Sequence, residues 1–211
     1  MALKDVEIIV ALSGTTNDGS HELKMPIPFQ YVNCADCGRA LQMNEAAQLA
    51  RGETMVFLHA DVIPPKTFLA DIQRTIAEGY DAGFFSYRYD KENFLLKINA
   101  SFTARNGIFT GGGDQCLFIR KSIFERLKGF DENQVVMEDF EFFERMKKDK
   151  VRYKIIKNDL IVSARKYEHN SYMRVNLSNL LLVTLFKFGY PAHKLKSLHN
   201  KLIRTPYQNP S

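Results

Sequence analysis

The sequence predicts an α/β fold, a sheet of short buried strands flanked by helices, followed by a helical C-terminal extension. Apolar runs of strand length alternate with segments of 3.6-residue periodicity. The strands read as continuous apolar runs, the signature of sheets covered on both faces. Turn-rich stretches such as "SGTTNDGS" separate the two kinds of segment. A chain of 211 residues with 45% hydrophobic content can build one sizeable core, and one domain is the expectation.

Taken in order, "VEIIVAL" (6–12) is a β-branched strand that runs into the turn-rich loop 13–20. "GRALQMNEAAQLARG" (38–52) places Ala40, Met43, Ala47 and Ala50 on one helical face, with Gly52 suited to end it. "TMVFL" (54–58) is a strand of the type found in the middle of a parallel sheet. After Pro64 and Pro65, "KTFLADIQRTIAEG" is helix, "AGFFSYRY" (82–89) strand, and "NFLLKINASFTARN" helix with Phe94, Ile98 and Phe102 in line. "GGGDQCLFIRKSIFERLKGF" (111–130) reads as loop, strand and short helix. "MEDFEFFERMKKD" (137–149) starts a helix with acidic residues in its first turn, and "VRYKIIK" is strand-like. From Ser171 the chain turns helical to near Arg204, broken at Pro191, with Leu177, Leu181, Thr184, Leu185 and Phe188 on one face. That face is expected to pack on the domain or on a second copy in a homodimer, with peripheral membrane contact the alternative. The expected division is a domain over 1–170 and an extension over 171–211.

Composition removes several classes. No run approaches the ~20 apolar residues of a membrane span. The net charge of +5 and pI near 9.0 lack a basic-aromatic repeat, so nucleic acid is not an expected partner. Three cysteines, with no signal peptide, point to reduced thiols in a cytoplasm, with the inner face of the membrane the alternative location. The lone C-x-x-C of Cys34 and Cys37 lacks a second ligand pair for zinc, and "SGTTNDGS" lacks the Lys-Ser/Thr ending of a P-loop. His21, His169, His193 and His199 show no metal-ligand spacing, although His169 follows the "SARKYE" block.

The stretch "TMVFLHAD" stops a buried strand on His59 and Asp61. In open α/β sheets ligands bind beyond the carboxyl ends of the strands, so a carboxylate there is either a turn former or a ligand. A hard dication takes one or two carboxylates and completes its shell with substrate phosphates. Asp114, in a glycine-rich loop before a strand, and Glu138 with Asp139, at a helix start, are the other candidates. Asp139 is open to two readings, helix cap and general base.

The three blocks "GRALQMNEAAQLARGETMVFLHADVIPP", "GGGDQCLFIRKSIFERLKGFDE" and "MEDFEFFERMKK" resemble, in order and spacing, the family 2 glycosyltransferases of the GT-A fold. The likeness is to a bacterial subgroup with "LHAD" in place of D-x-D, and it covers roughly residues 6 to 170. It implies a GT-A-like, Rossmann-like sheet, mixed and mainly parallel, and transfer of a sugar from a UDP- or GDP-sugar to an acceptor hydroxyl, by an inverting route with Mg²⁺ or Mn²⁺. By the same resemblance Asp61 is the metal and diphosphate aspartate, and Arg39 and Asn44 face the nucleotide. Gly112, Asp114 and Gln115 line the donor-sugar and acceptor loop, and Asp139, with Glu138 beside it, is the base. Two features depart from the family. The chain starts at what resembles the family's second strand, and Leu12 and Ser13 stand where "D-G-G-S-T-D-G-T" has its nucleotide-binding aspartate, with Asp18 farther along. A GT-A-like protein without catalysis, acting by binding or dimerisation, is therefore the rival expectation.

Overall fold

The computed structural model describes residues 5–15, 17–25, 27–35, 38–107 and 109–204. Its elements are β1 (Ile9–Ser13), β2 (Gln30–Cys34), α1 (Arg39–Leu49), β3 (Thr54–Phe57), α2 (Phe68–Ala77), β4 (Ala82–Tyr89), α3 (Phe94–Ser101), β5 (Leu117–Arg120), α4 (Lys121–Arg126), α5 (Glu138–Lys148), β6 (Tyr153–Val162), α6 (Tyr172–Lys187) and α7 (Ala192–Leu202). β1 and β2 pair in parallel as a two-stranded sheet. The other four strands form a sheet in the order β3-β5-β4-β6, in which β5 alone runs against its companions. The expected α/β class and mixed sheet are therefore present. Two details differ. β3 lies at the end of its sheet and pairs antiparallel with β5, not inside a parallel array. β2 has no counterpart among the expected elements, because "QYVNC" is only five residues long and follows a proline-containing loop.

Neighbouring side chains on a strand point to opposite faces, and the core divides accordingly. Phe84 and Ile119 face a cluster covered by α1, α4 and α5 through Ala47, Phe124 and Phe142. Phe85 and Phe118 face a second cluster, covered by α2 and α3 through Phe68, Ile72 and Leu96. Each of these wholly buried phenylalanines contributes about 2 kcal/mol from burial alone. Gly83 has no room for a side chain, since a Cβ would lie 2.3 Å from the Phe118 ring.

The reversed direction of β5 positions the site. Its first residue, Leu117, pairs with Phe57, the last of β3. The loop entering β5 therefore lies beside the loop leaving β3. β6 ends alongside β4 at the Tyr89–Val162 pair, and a two-way bridge between Ile63 and Ile161 ties the chain just after Asp61 to the end of β6. Three loops thus meet at one end of the sheet.

Beyond β6, α6 and α7 form a hairpin that breaks at Gly189–Pro191, as expected. Val175, Ser178, Leu182 and Val183 are the buried residues of α6, and Leu182 and Val183 share a cluster with Met137 and Leu195. The expected face does not turn to the domain: Leu177, Leu181, Thr184 and Phe188 point outward, and only Leu185 packs against this cluster. Phe94, Ile98 and Phe102 of the α3 region also face outward, while Leu96 and Ala100 go to the core. In both helices two stripes are apolar, so periodicity could not choose between them.

Candidate active site

Asp61 lies half-exposed in the loop that follows β3, where its carboxylate accepts a hydrogen bond from Arg165 Nη2 at 2.8 Å. Arg165 and Lys166 stand together on the single 3-10 turn Arg165–Tyr167 after β6. The turn is held from three sides. Ala164 N donates to Asp90 at 2.9 Å, Asn99 donates to the Tyr167 hydroxyl at 3.0 Å, and Lys91 pairs with Glu168 at 2.5 Å. These anchors aim the two cations across the loops of the site. Lys166 Nζ lies 3.7 Å from Asp114 Oδ2, and on the other side of Asp114 stands His59 Nδ1, 3.8 Å from Oδ1.

The glycine-rich loop passes under this cluster. A Cβ on Gly113 would lie 2.6 Å from the His59 ring, and one on Gly111, whose φ is +94°, would run into Phe143. Close approach and a left-handed backbone both demand glycine here. Gly112 lines, with its glycine neighbours, His59, Glu138 and Asp139, a cavity of about 20 Å³. Gln115 is buried and takes no part in an open site: its Oε1 accepts from Gly111 N and its Nε2 donates to Thr103 O, so it braces the loop.

Asp139 reaches the loop from the opposite side. Its Oδ2 accepts from Gly113 N and its Oδ1 from Phe140 N at 2.8 Å, so it holds both the loop and the first turn of α5. Burial pushes its carboxyl above the ordinary range, against the pull of Arg39, of the two N–H donors and of His59. The helix start alone would lower that value, and burial outweighs it. Glu138 is almost completely buried and pairs with Arg39 Nε at 2.7 Å. Burial raises its carboxyl too, with Arg39 opposing. The turn before α5 is set by Met137, a non-glycine residue at φ +66° whose side chain is buried against Leu182 and Leu195. Packing of the C-terminal hairpin thereby holds the backbone that presents Glu138 and Asp139.

The candidates divide into two groups. Asp61, Gly112, Asp114 and Asp139 meet around the convergent loops, and Arg39 joins them through Glu138. Asn44 and Gln115 are occupied as braces. Asn44 exchanges two 2.9 Å hydrogen bonds with the backbone of Phe130 and donates a third to Glu132. Arg165 and Lys166 were not among the expected site residues. The signal in the sequence was a pair of adjacent cations directly after a strand, the same position relative to β6 that Asp61 has relative to β3.

A hard dication fits Asp61 in one way. Its carboxylate is tied to a half-exposed guanidinium, so an ion could replace that contact at small cost. Among the described residues no three His, Cys, Asp or Glu side chains gather as a cage, and the remaining ligands would have to be diphosphate oxygens and water. Of the described cysteines, neither Cys34 nor Cys116 takes part. Cys34 and Cys116 are buried, burial pushes the Cys34 thiol up to about 11, and Cys37 lies outside the described residues. Among the described residues no helix is long and apolar enough to cross a membrane.

No curated protein sequence matches the chain. Among solved structures it is similar to TarS of S. aureus, with a TM-score of 0.60 and 14% identity, covering 96% of this chain and 38% of that one. For a shorter TarS in complex with UDP-GlcNAc the TM-score is 0.58, at 14% identity, with 96% and 64% covered. For the mannosyltransferase PcManGT from Pyrobaculum calidifontis in complex with GDP-Man and Mn²⁺ it is 0.57, at 17% identity, with 93% and 59% covered. At these identities the likeness is one of fold, and the chain spans less than two thirds of each of these structures. The family model of Glycosyl transferase family 2 matches residues 2–151, which contain every candidate site residue up to Asp139 and all strands but β6. On that match the chain belongs to glycosyl transferase family 2.

Proposed function

We infer that the chain transfers a sugar from a UDP- or GDP-sugar to an acceptor hydroxyl, with inversion at the anomeric carbon and with Mg²⁺ or Mn²⁺ bound at Asp61. The observation that carries the reading is the convergence of Asp61, Asp114 and Asp139 with Arg165 and Lys166 at the end of the sheet where β3 and β6 end and β5 begins. Family membership and neighbours crystallised with UDP-GlcNAc and with GDP-Man and Mn²⁺ support it.

In this reading Asp139 is the base. The acceptor oxygen forms its bond to the anomeric carbon as Asp139 takes the hydroxyl proton, and the bond from that carbon to the diphosphate breaks, its electron pair leaving with the nucleoside diphosphate. The Gly113 N–H orients the carboxylate, and Arg39, held by Glu138, supplies positive potential behind it. Arg165 and Lys166 offset the charge on the diphosphate, as preorganised cations do wherever charge develops. The dication, when bound, adds further neutralisation of the leaving group. Calorimetry with UDP and GDP, with and without Mn²⁺, tests the reading. If UDP and GDP both fail to bind and to raise the melting temperature, the reading fails, since a ligand of the native state must stabilise it.

The loop after β1 favours a second reading, a protein that binds a donor without turning it over. Ser13, where the family has an aspartate, bonds Thr15 at 3.1 Å, and a Cβ on Gly14 would lie 2.7 Å from Cys34 O, leaving the segment little freedom. Donor binding with no sugar transfer to any acceptor would select it.

A further inference from the structure

The positive charge of the chain is concentrated in one place. Residues 171–211 hold Arg174, Lys187, Lys194, Lys196, Lys201 and Arg204 and no aspartate or glutamate, whereas the preceding 170 residues, with 23 basic and 24 acidic side chains, are close to neutral. All six cations are exposed. The same hairpin carries the outward stripe of α6. Met173, Leu177, Leu180 and Leu181 recur at three- and four-residue spacing, and Phe188, seven residues beyond Leu181 and 86% exposed, stands at the turn into α7 beside the half-exposed Tyr190. Water gains nothing from such a stripe, and a monomer surface rarely keeps one this long.

We propose that the α6–α7 hairpin docks this protein on an anionic membrane surface, with the α6 stripe and Phe188 entering the headgroup boundary and the surrounding lysines and arginines contacting acidic lipid headgroups. Such a partner calls for both features at once. An interfacial helix needs an apolar face and cations, and the cations are drawn in by the negative surface potential. A second copy seated on the stripe would bring Arg174 and Lys187 of both molecules together without a single carboxylate on either hairpin to offset them. The opposite face of α6 is buried in the protein through Val175, Leu182 and Val183, so the contact is one of surface binding. The inward face of α6, through Leu182, packs on Met137, so the docked surface lies one helix away from the residue that sets the turn before Asp139. The proposal does not depend on the sugar-transfer reading, because lipid binding needs no donor.

The test is flotation of the full chain with vesicles of phosphatidylcholine alone and of phosphatidylcholine with about one third phosphatidylglycerol. The expected result is recovery with the anionic vesicles only, reversed by about 0.5 M salt, where screening reaches a few ångströms. Leu177→Glu with Leu181→Glu should lower the bound fraction at least about tenfold, because both positions are exposed and the charges oppose insertion. Lys194→Glu with Lys196→Glu, two exposed positions of α7 on either side of the buried Leu195, should abolish the preference for anionic lipid and leaves the stripe intact, so it tests the proposal even where the first variant unfolds. Wild-type protein that stays unbound with both vesicles would overturn it, as would folded variants that float like wild type. A wild-type dimer by light scattering that ignores vesicles, and that Leu177→Glu with Leu181→Glu turns into a monomer, would assign the stripe to a homodimer and overturn it equally.

Discussion

Arg165 holds the carboxylate of Asp61 at 2.8 Å, joining the turn after β6 to the loop after β3 across the site. Both side chains are about half exposed, so the pair contributes little to stability, and its interest lies in what can replace it. Asp61→Asn should lower Mn²⁺-dependent nucleotide binding at least about tenfold, by loss of a charged ligand, and shift the melting temperature by no more than a degree or two. Titration calorimetry and a thermal melt on the same sample check it, and unchanged nucleotide affinity removes Asp61 from the metal site.

Arg165→Gln carries the opposite sign for the ion. With the competing guanidinium gone, Mn²⁺ alone should bind a few-fold more tightly, while nucleotide at saturating Mn²⁺ binds roughly three- to tenfold more weakly. Electron paramagnetic resonance of free Mn²⁺ reads the first effect and calorimetry the second. A structural role for Arg165 would weaken both together.

Asp139→Asn should lower turnover by roughly two to four orders of magnitude with donor affinity nearly unchanged, the pattern of a missing base in a site that still binds. The asparagine oxygen can still accept from Phe140 N, so the start of α5 survives. A variant that melts early and turns over normally per folded molecule would make Asp139 a cap, and Asp114 the better candidate for the base.

The pH dependence follows from the same carboxylate. A base must be ionised, and burial raises the Asp139 carboxyl, so the acid limb of kcat/KM should fall at a pH higher than the ordinary aspartate value of about 3.9. For stability, a raised folded pKa means that the native state holds the proton more tightly than the unfolded chain. The stabilisation from Asp139 and Glu138 is therefore full below their ordinary values and declines as pH rises through their raised ones. Melting curves from pH 3.5 upward should show that decline, and Asp139→Asn should flatten it.

Asn44→Ala should cost about 2 kcal/mol, since it deprives the Phe130 backbone of both of its partners on α1. Denaturant melts measure the loss. Nucleotide affinity per folded molecule should be unchanged, and a drop in affinity without a drop in stability would return Asn44 to the nucleotide site.

The sequence alone determined the alternation of strands and helices, because burial on a sheet and on a helix leaves different apolar periods, and β4 was legible to the residue in "AGFFSYRY". It also determined which carboxylates were worth watching, since Asp61, Asp114 and Asp139 each sit where a strand or helix begins or ends, in blocks whose order and spacing resemble one family. Only the tertiary structure decided the rest. The reversal of β5, which brings the glycine-rich loop beside Asp61, depends on pairing between strands about 60 residues apart in sequence, and no local pattern encodes it. The arrival of Arg165 and Lys166 depends on the Ile63–Ile161 bridge, a contact across nearly 100 residues. The outward stripe of α6 was undecidable for a different reason. Both of its faces are apolar, and only the positions of Met137 and Leu195 determine which one is buried.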